Sequence, residues 1–144
     1  MLSAAALAEL PGTTIPGGRW SLRPHENWLA ADALYATPSG TPHPVLAFVG
    51  AQRGLGVSVA GLFALFGTAM AEGPLLTDCE LDLPGELRVG VEYAVSGEVL
   101  AAERKTGRRL GTFDLVTARF SITVADTGEL VAAVTNTYAL RRQA

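Results

Sequence analysis

The pattern of apolar and polar positions divides the chain near Pro74. Ahead of it, short segments of helical spacing alternate with turn-rich stretches. "MLSAAALAEL" has helical composition and stops at Pro11-Gly12. "GTTIPGGRWSLRP" is rich in turn residues and leaves room for a short strand at 19–23. "HENWLAADALYA" spaces Trp28, Leu29, Ala31, Ala33, Leu34 and Tyr35 as a short helix would. "TPSGTPHP", with three prolines and a glycine, is a loop. Behind Pro74 the period shortens to that of strands. "LLTDCELDL", "GELRVGVEYAVSGEVLAAERKTG", "RRLGTFDLVTARFSITVADTG" and "ELVAAVTNTYALRR" alternate and are rich in β-branched and aromatic residues. "KTGRR" and "ADTGE" read as hairpin turns with glycine where a positive φ is needed. Gly97 is a candidate bulge position.

Between these halves lies an unusual run. From Gly54 to Ala71 there is no charge, and the only polar side chains are Ser58 and Thr68. The pattern predicts one helix at about 57–71, apolar on every side. A helix at a protein surface keeps a polar face, so something must surround this one. The apolar stretch from Pro44 to Ala71 is long enough to span a bilayer. Gln52 and Arg53 interrupt it, however, and an unpaired Arg in lipid is costly. No basic cluster flanks either end. The pattern therefore favours a helix enclosed by the protein over a membrane span. A curved antiparallel sheet wraps a single helix in this way, with Ala60, Gly61, Ala64 and Gly67 letting strands approach. The expected class is α+β with a hot-dog arrangement, the sheet being the bun.

Composition adds limits. A chain of 144 residues suits one domain, 1–144, with 1–18 as an N-terminal arm. It is 49% hydrophobic and only 17% charged, which points to surface covered by another subunit. A net charge of −3 does not suggest a nucleic-acid binder. The single cysteine, Cys79, cannot form an internal disulfide, which fits a reducing, cytoplasmic setting. It reads as an apolar core residue in a strand, with a reactive thiol as the alternative. The N-terminus has no basic region of the kind that opens a signal peptide.

"HPVLAFVGAQRGLGVSVAGLFALFG", then "LRVGVEYAVSGEVLAAERKTGRRLG", then a last strand ending "NTYALRR", together resemble the MaoC-like acyl dehydratases and (R)-specific enoyl-CoA hydratases of the hot-dog superfamily. The resemblance covers roughly 19–142 and is one of texture, which hot-dog thioesterases share. It implies acyl thioesters of coenzyme A or acyl carrier protein as substrates, and a lyase reaction, the reversible hydration of a 2-enoyl thioester. It also implies dimers, homomeric or with a second hot-dog chain, whose sheets join edge to edge. No cofactor or metal is implied. The family carries an Asp and a His before the central helix, in a run like D-x-x-N-P-x-H. This chain has "SGTPHP" there. His43 is present, and the Asp and Asn are not, so the dyad does not transfer.

The remaining candidates come from the residues themselves. Glycines entering a helix let a ligand approach free N–H donors, so Gly54, Leu55 and Gly56, with Ser58, are candidates to hold a thioester oxygen. The same glycines equally suit a loop turning tightly beside a strand. His43 is the candidate general base, or a loop histidine bonded to backbone. Gln52 and Arg53 need partners in an apolar stretch: substrate, a subunit contact, or an ion pair with a neighbouring acid. Glu72 reads as solvated at a helix end. Arg104, Lys105, Arg108 and Arg109 form either a phosphate-attracting hairpin or a merely soluble one. The expected function is an acyl-thioester hydratase or dehydratase subunit lacking the usual dyad. A scaffold homodimer, or a pocket reused by a thioesterase or cyclase, stands beside it.

Overall fold

The computed structural model describes residues 2–37, 39–109 and 111–142. The elements run α1 (Ala4–Ala8), β1 (Thr14–Ser21), α2 (Pro24–Ala33), α3 (Val45–Arg53), α4 (Val59–Leu65), a 3₁₀ turn (Met70–Glu72), β2 (Leu75–Asp82), β3 (Glu92–Gly107), β4 (Gly111–Val124) and β5 (Leu130–Arg141). One antiparallel sheet holds the strands in the order β1-β3-β4-β5-β2. The two long hairpins β3–β4 and β4–β5 follow the alternation of the sequence. β1 begins at Thr14, inside the stretch read as an arm.

The core lies between the concave face of the sheet and the helices. Val95 and Val99 of β3, Val116, Phe120 and Ile122 of β4, and Val134 and Leu140 of β5 are fully or almost fully buried there. Their period of two is what places them on one face. Against them sits α3, through Leu46, Ala47, Gly50 and Ala51. Small residues are needed at this contact: a Cβ on Gly50 would lie 2.5 Å from the Trp20 ring.

The single long helix expected at 57–71 is therefore corrected. The enclosed helix is α3, which ends at Arg53. The apolar run after it is a turn at 54–58, the short α4 and a second turn. The break has a local cause. Gly54 caps α3, and a Cβ there would meet Val95 Cγ2 at 2.3 Å. Gly56 donates its N–H to Pro16 O at 2.9 Å, docking the turn on β1. Ser58 then caps α4, its Oγ accepting from the Gly61 N–H at 3.0 Å. Gly67, at φ +66°, ends that helix in the left-handed conformation. α4 buries Leu62 and Phe63 and leaves Val59, Ala60, Ala64 and Leu65 exposed. Gly97 marks no bulge in β3; the irregularities fall at Pro16-Gly17 in β1 and at Leu100 in β3. Gly97 instead makes room for Phe120, which a Cβ would approach to 3.0 Å.

One ionic clasp holds the end of the sheet. Asp114 is fully buried and accepts from Arg104 Nε at 2.7 Å and Arg142 Nε at 2.8 Å. Arg142 also donates to Phe66 O, Gly67 O and Thr68 Oγ1, tying β5 to the end of α4. Arg104 reaches Leu2 O at 2.9 Å, so the N-terminal segment is held by the same group. Burial pushes Asp114 up, but the hydrogen bonds from the two guanidiniums outweigh it and hold the carboxyl below its usual range.

Candidate functional site

An opening lies between α2 and the loop that leads into α3. It is a cleft of about 380 Å³ whose walls include Asn27, Trp28, Thr37, Thr41 and His43. That volume suits a small ligand group. α2 starts at Pro24, whose fixed φ suits a first helical position. Glu26 accepts from the Arg23 N–H at 3.0 Å and closes the first turn. The other side of the cleft is stiffened by Pro42 and Pro44. At the end of α2, Tyr35 is held at φ 51° and is almost wholly exposed (99%), a strained position for a side chain of its size.

His43 lies in this cleft. Its Nδ1 accepts from the Val45 N–H at 3.1 Å and so caps the start of α3. A neutral imidazole with Nδ1 accepting carries its hydrogen on Nε2, so the free edge of the ring is a donor. Among the described residues no carboxylate hydrogen-bonds to it. The arrangement can donate to a ligand oxygen; it does not make a paired acid and base.

The other expected residues divide. Arg53 pairs with Glu26 at 2.8 Å and links α3 to α2 behind the cleft. The Arg23 N–H, then Arg53, hold Glu26 below the usual carboxylate range. Gly54 closes a helix rather than opening one, and its N–H goes to Gly50 O at 2.8 Å. With the Gly56 N–H also engaged, these two amides are not free donors, and the tight turn beside a strand accounts for the glycines. Leu55 packs against the core, and Ser58 is spent on its own helix. Gln52 reaches the other way, to Tyr138 Oη at 3.4 Å.

Two residues that pattern reading passed over belong with Gln52. Asn136 and Tyr138 of β5 point inward, and Asn136 Nδ2 donates to Tyr138 Oη at 2.9 Å. Burial pushes Tyr138 up, outweighing these two bonds, so its O–H stays protonated. The alternation "VTNTY" puts Val134, Asn136 and Tyr138 on one face, and a polar residue in that register was the available signal. Cys79 is corrected: it is exposed, not a core residue. It pairs across the sheet with Asn136, but it stands on edge strand β2, which is exposed at every position but Leu81. Burial, then Asp78, push its thiol up, which keeps it from being a nucleophilic thiolate at neutral pH. Glu72 is exposed as expected, its Oε2 accepting from the Ala69 N–H at 2.7 Å.

No protein-family model and no curated protein matches the sequence. Solved structures do. The chain is similar to the HadBC (3R-hydroxyacyl-ACP dehydratase) complex of Mycobacterium tuberculosis, at 14% identity and TM-score 0.70, over 91% of this chain and 97% of that one. It is similar to the MaoC-like dehydratase of Rhodospirillum rubrum, at 20% identity and TM-score 0.57, over 100% and 99%. It is also similar to a thioesterase of Thermus thermophilus complexed with coenzyme A and zinc, at 12% identity and TM-score 0.59, over 88% and 78%. Such identities establish the fold and no more. The protein is an α+β protein of the hot-dog fold. Among the described residues no helix is long and apolar enough to cross a membrane.

Proposed function

We propose that the protein is an acyl-thioester-binding hot-dog subunit that takes part in a hydratase or dehydratase without supplying the proton-transfer pair itself. The observation that carries this reading is His43: it lines a ligand-sized cleft, yet its Nδ1 is spent on the Val45 N–H and, among the described residues, no carboxylate partners it. Hydration of an enoyl thioester needs one group to activate water and one to protonate carbon. A lone imidazole donor can hold an oxygen and does neither. In this reading His43 contacts the bound thioester from the wall of the cleft. Arg53 holds α2 in place through Glu26.

The missing pair comes from a second hot-dog chain. The named relatives support this coarsely, since one is a dehydratase complex and another holds coenzyme A. The outer edge of β2 also supports it: Leu75 and Leu76 are exposed there, and an unpaired edge invites another strand. Titration calorimetry with butyryl-CoA tests the binding half. Saturable binding to the wild type, abolished by Ala31→Trp, which fills the cleft, is expected. No binding to the wild type would overturn the reading.

A further inference from the structure

A polar cluster interrupts the apolar concave face beside β2. Tyr138 Oη accepts from Asn136 Nδ2 at 2.9 Å and from Gln52 Nε2 at 3.4 Å. Two accepted bonds occupy both lone pairs of a hydroxyl. Its own hydrogen is then turned away from both amides, and among the described residues it meets no acceptor. Asn136 is fully buried, and among the described residues its Oδ1 has no hydrogen-bond partner. Buried acceptors are almost always satisfied, so one that is not calls for an explanation. A donor without an acceptor and an acceptor without a donor thus sit on neighbouring inward positions of one strand.

We propose that Asn136 and Tyr138 form a binding site for a single hydroxyl group, which donates to Asn136 Oδ1 and accepts from the Tyr138 O–H. One oxygen can do both because both protein oxygens lie beside the same amide: Oδ1 belongs to it and Oη bonds to it. A carbonyl brings no hydrogen for Oδ1. A trans amide points its N–H and C=O to opposite sides and cannot serve two convergent partners. An anion is repelled by Oδ1, and the cluster holds no charge to offset that. Gln52, half-buried at the end of α3, fixes the phenol from the helix side. Phe63 meets the Tyr138 ring edge-on, with centroids 5.2 Å apart, so the hydroxyl donor is rigidly placed. Access is from the β2 edge, where exposed Cys79 is the cross-strand neighbour of Asn136. The alcohol of a ligand and a water molecule share this chemistry, and the test separates them.

The ¹⁵N-labelled chain is titrated with butan-2-ol and with butan-2-one, following the side-chain amide signals of Asn136 and Gln52. The two probes share a skeleton and differ in hydroxyl against carbonyl. A saturable shift with the alcohol, and a midpoint about tenfold or more weaker with the ketone, is the expected result. Asn136→Leu should abolish that preference, as followed at Gln52. If that variant does not fold, Tyr138→Phe, which keeps the ring, should weaken both probes. Equal midpoints would overturn the proposal, since the amide would then be presenting a donor. No saturable shift with either probe would also overturn it, leaving a site for water only. Butyryl-CoA binding plays no part in this titration, so the thioester reading can fail without affecting it.

Discussion

The inner strands and the α2–β2 flank of this molecule are built to different standards. β5 is buried along most of its length, and its end is locked by Arg142 into a fully buried ionic clasp. α2 has no buried residue at all, and β2 is exposed at all but one position. On α2, Trp28 is 59% exposed and Leu29 is 52% exposed. The contrast separates two jobs. The inner strands carry the core of this chain. These two elements carry apolar side chains and an open strand edge that contribute little to this chain's own core, and α2 borders the cleft that holds His43.

The sharpest way to break that contrast is to unlock the clasp. Removing one partner of a buried pair leaves an uncompensated charge and costs about 3–5 kcal/mol. Asp114→Ala should therefore lower the unfolding free energy by that order in urea denaturation, because it leaves the buried Arg142 guanidinium without its carboxylate. A loss below about 1 kcal/mol would mean the clasp is ornamental.

The same group sets an acid limit. Asp114 has a folded pKa held below its unfolded value, about 3.9, so its contribution is present above that value. It is lost as pH falls through the lower folded value. Stability should fall steeply below about pH 4, and Asp114→Asn should flatten that part of the profile. An unchanged acid limb in the variant would assign the effect to other carboxylates.

Crowded glycines come next. Gly54→Ala places a Cβ 2.3 Å from Val95 Cγ2, and overpacking of this kind costs about 1–3 kcal/mol. Gly40→Ala, with nothing near its Cβ, should be close to neutral and serves as the control. The smallest effects belong to the flank. Tyr35→Gly relieves a left-handed φ and should stabilise by about 0.5–1 kcal/mol. Trp28→Ser should change monomer stability by no more than about 0.5 kcal/mol, while weakening association with a second chain in sedimentation. A large loss of monomer stability would show that α2 is part of the core after all.

Much of the stable half was legible in the sequence. β3, β4 and β5 alternate with period two, and glycine punctuates their hairpins. The helices near 4–8 and 24–33 and the proline-rich loop between α2 and α3 were also readable. The enclosed helix was misplaced for a physical reason. Uniform apolarity arises from one surrounded helix, or from two short helices and a docked turn that bury different sides. Gly54 and Gly56, poor helix formers, favoured the second, but only their approach to Val95 and Pro16 decides it. The clasp was invisible because Asp114 and Arg142 meet across a hairpin, and Arg104 read as one more charge in a basic turn. The candidate site was legible in part: His43 and Gln52 were singled out, while Asn136 and Tyr138 were hidden in a strand whose register had to be known first.

On the function proposed above, this chain binds an acyl thioester but does not hydrate it unaided. The most direct measurement is the progress of crotonyl-CoA hydration by the purified chain, followed at the enoyl-thioester absorbance, with His43→Ala alongside. No rate above the uncatalysed one is expected for either protein, with turnover appearing when a second hot-dog chain bearing the Asp and His is added. Robust hydration by the chain alone that collapses in His43→Ala would contradict it, and would make His43 a catalytic residue.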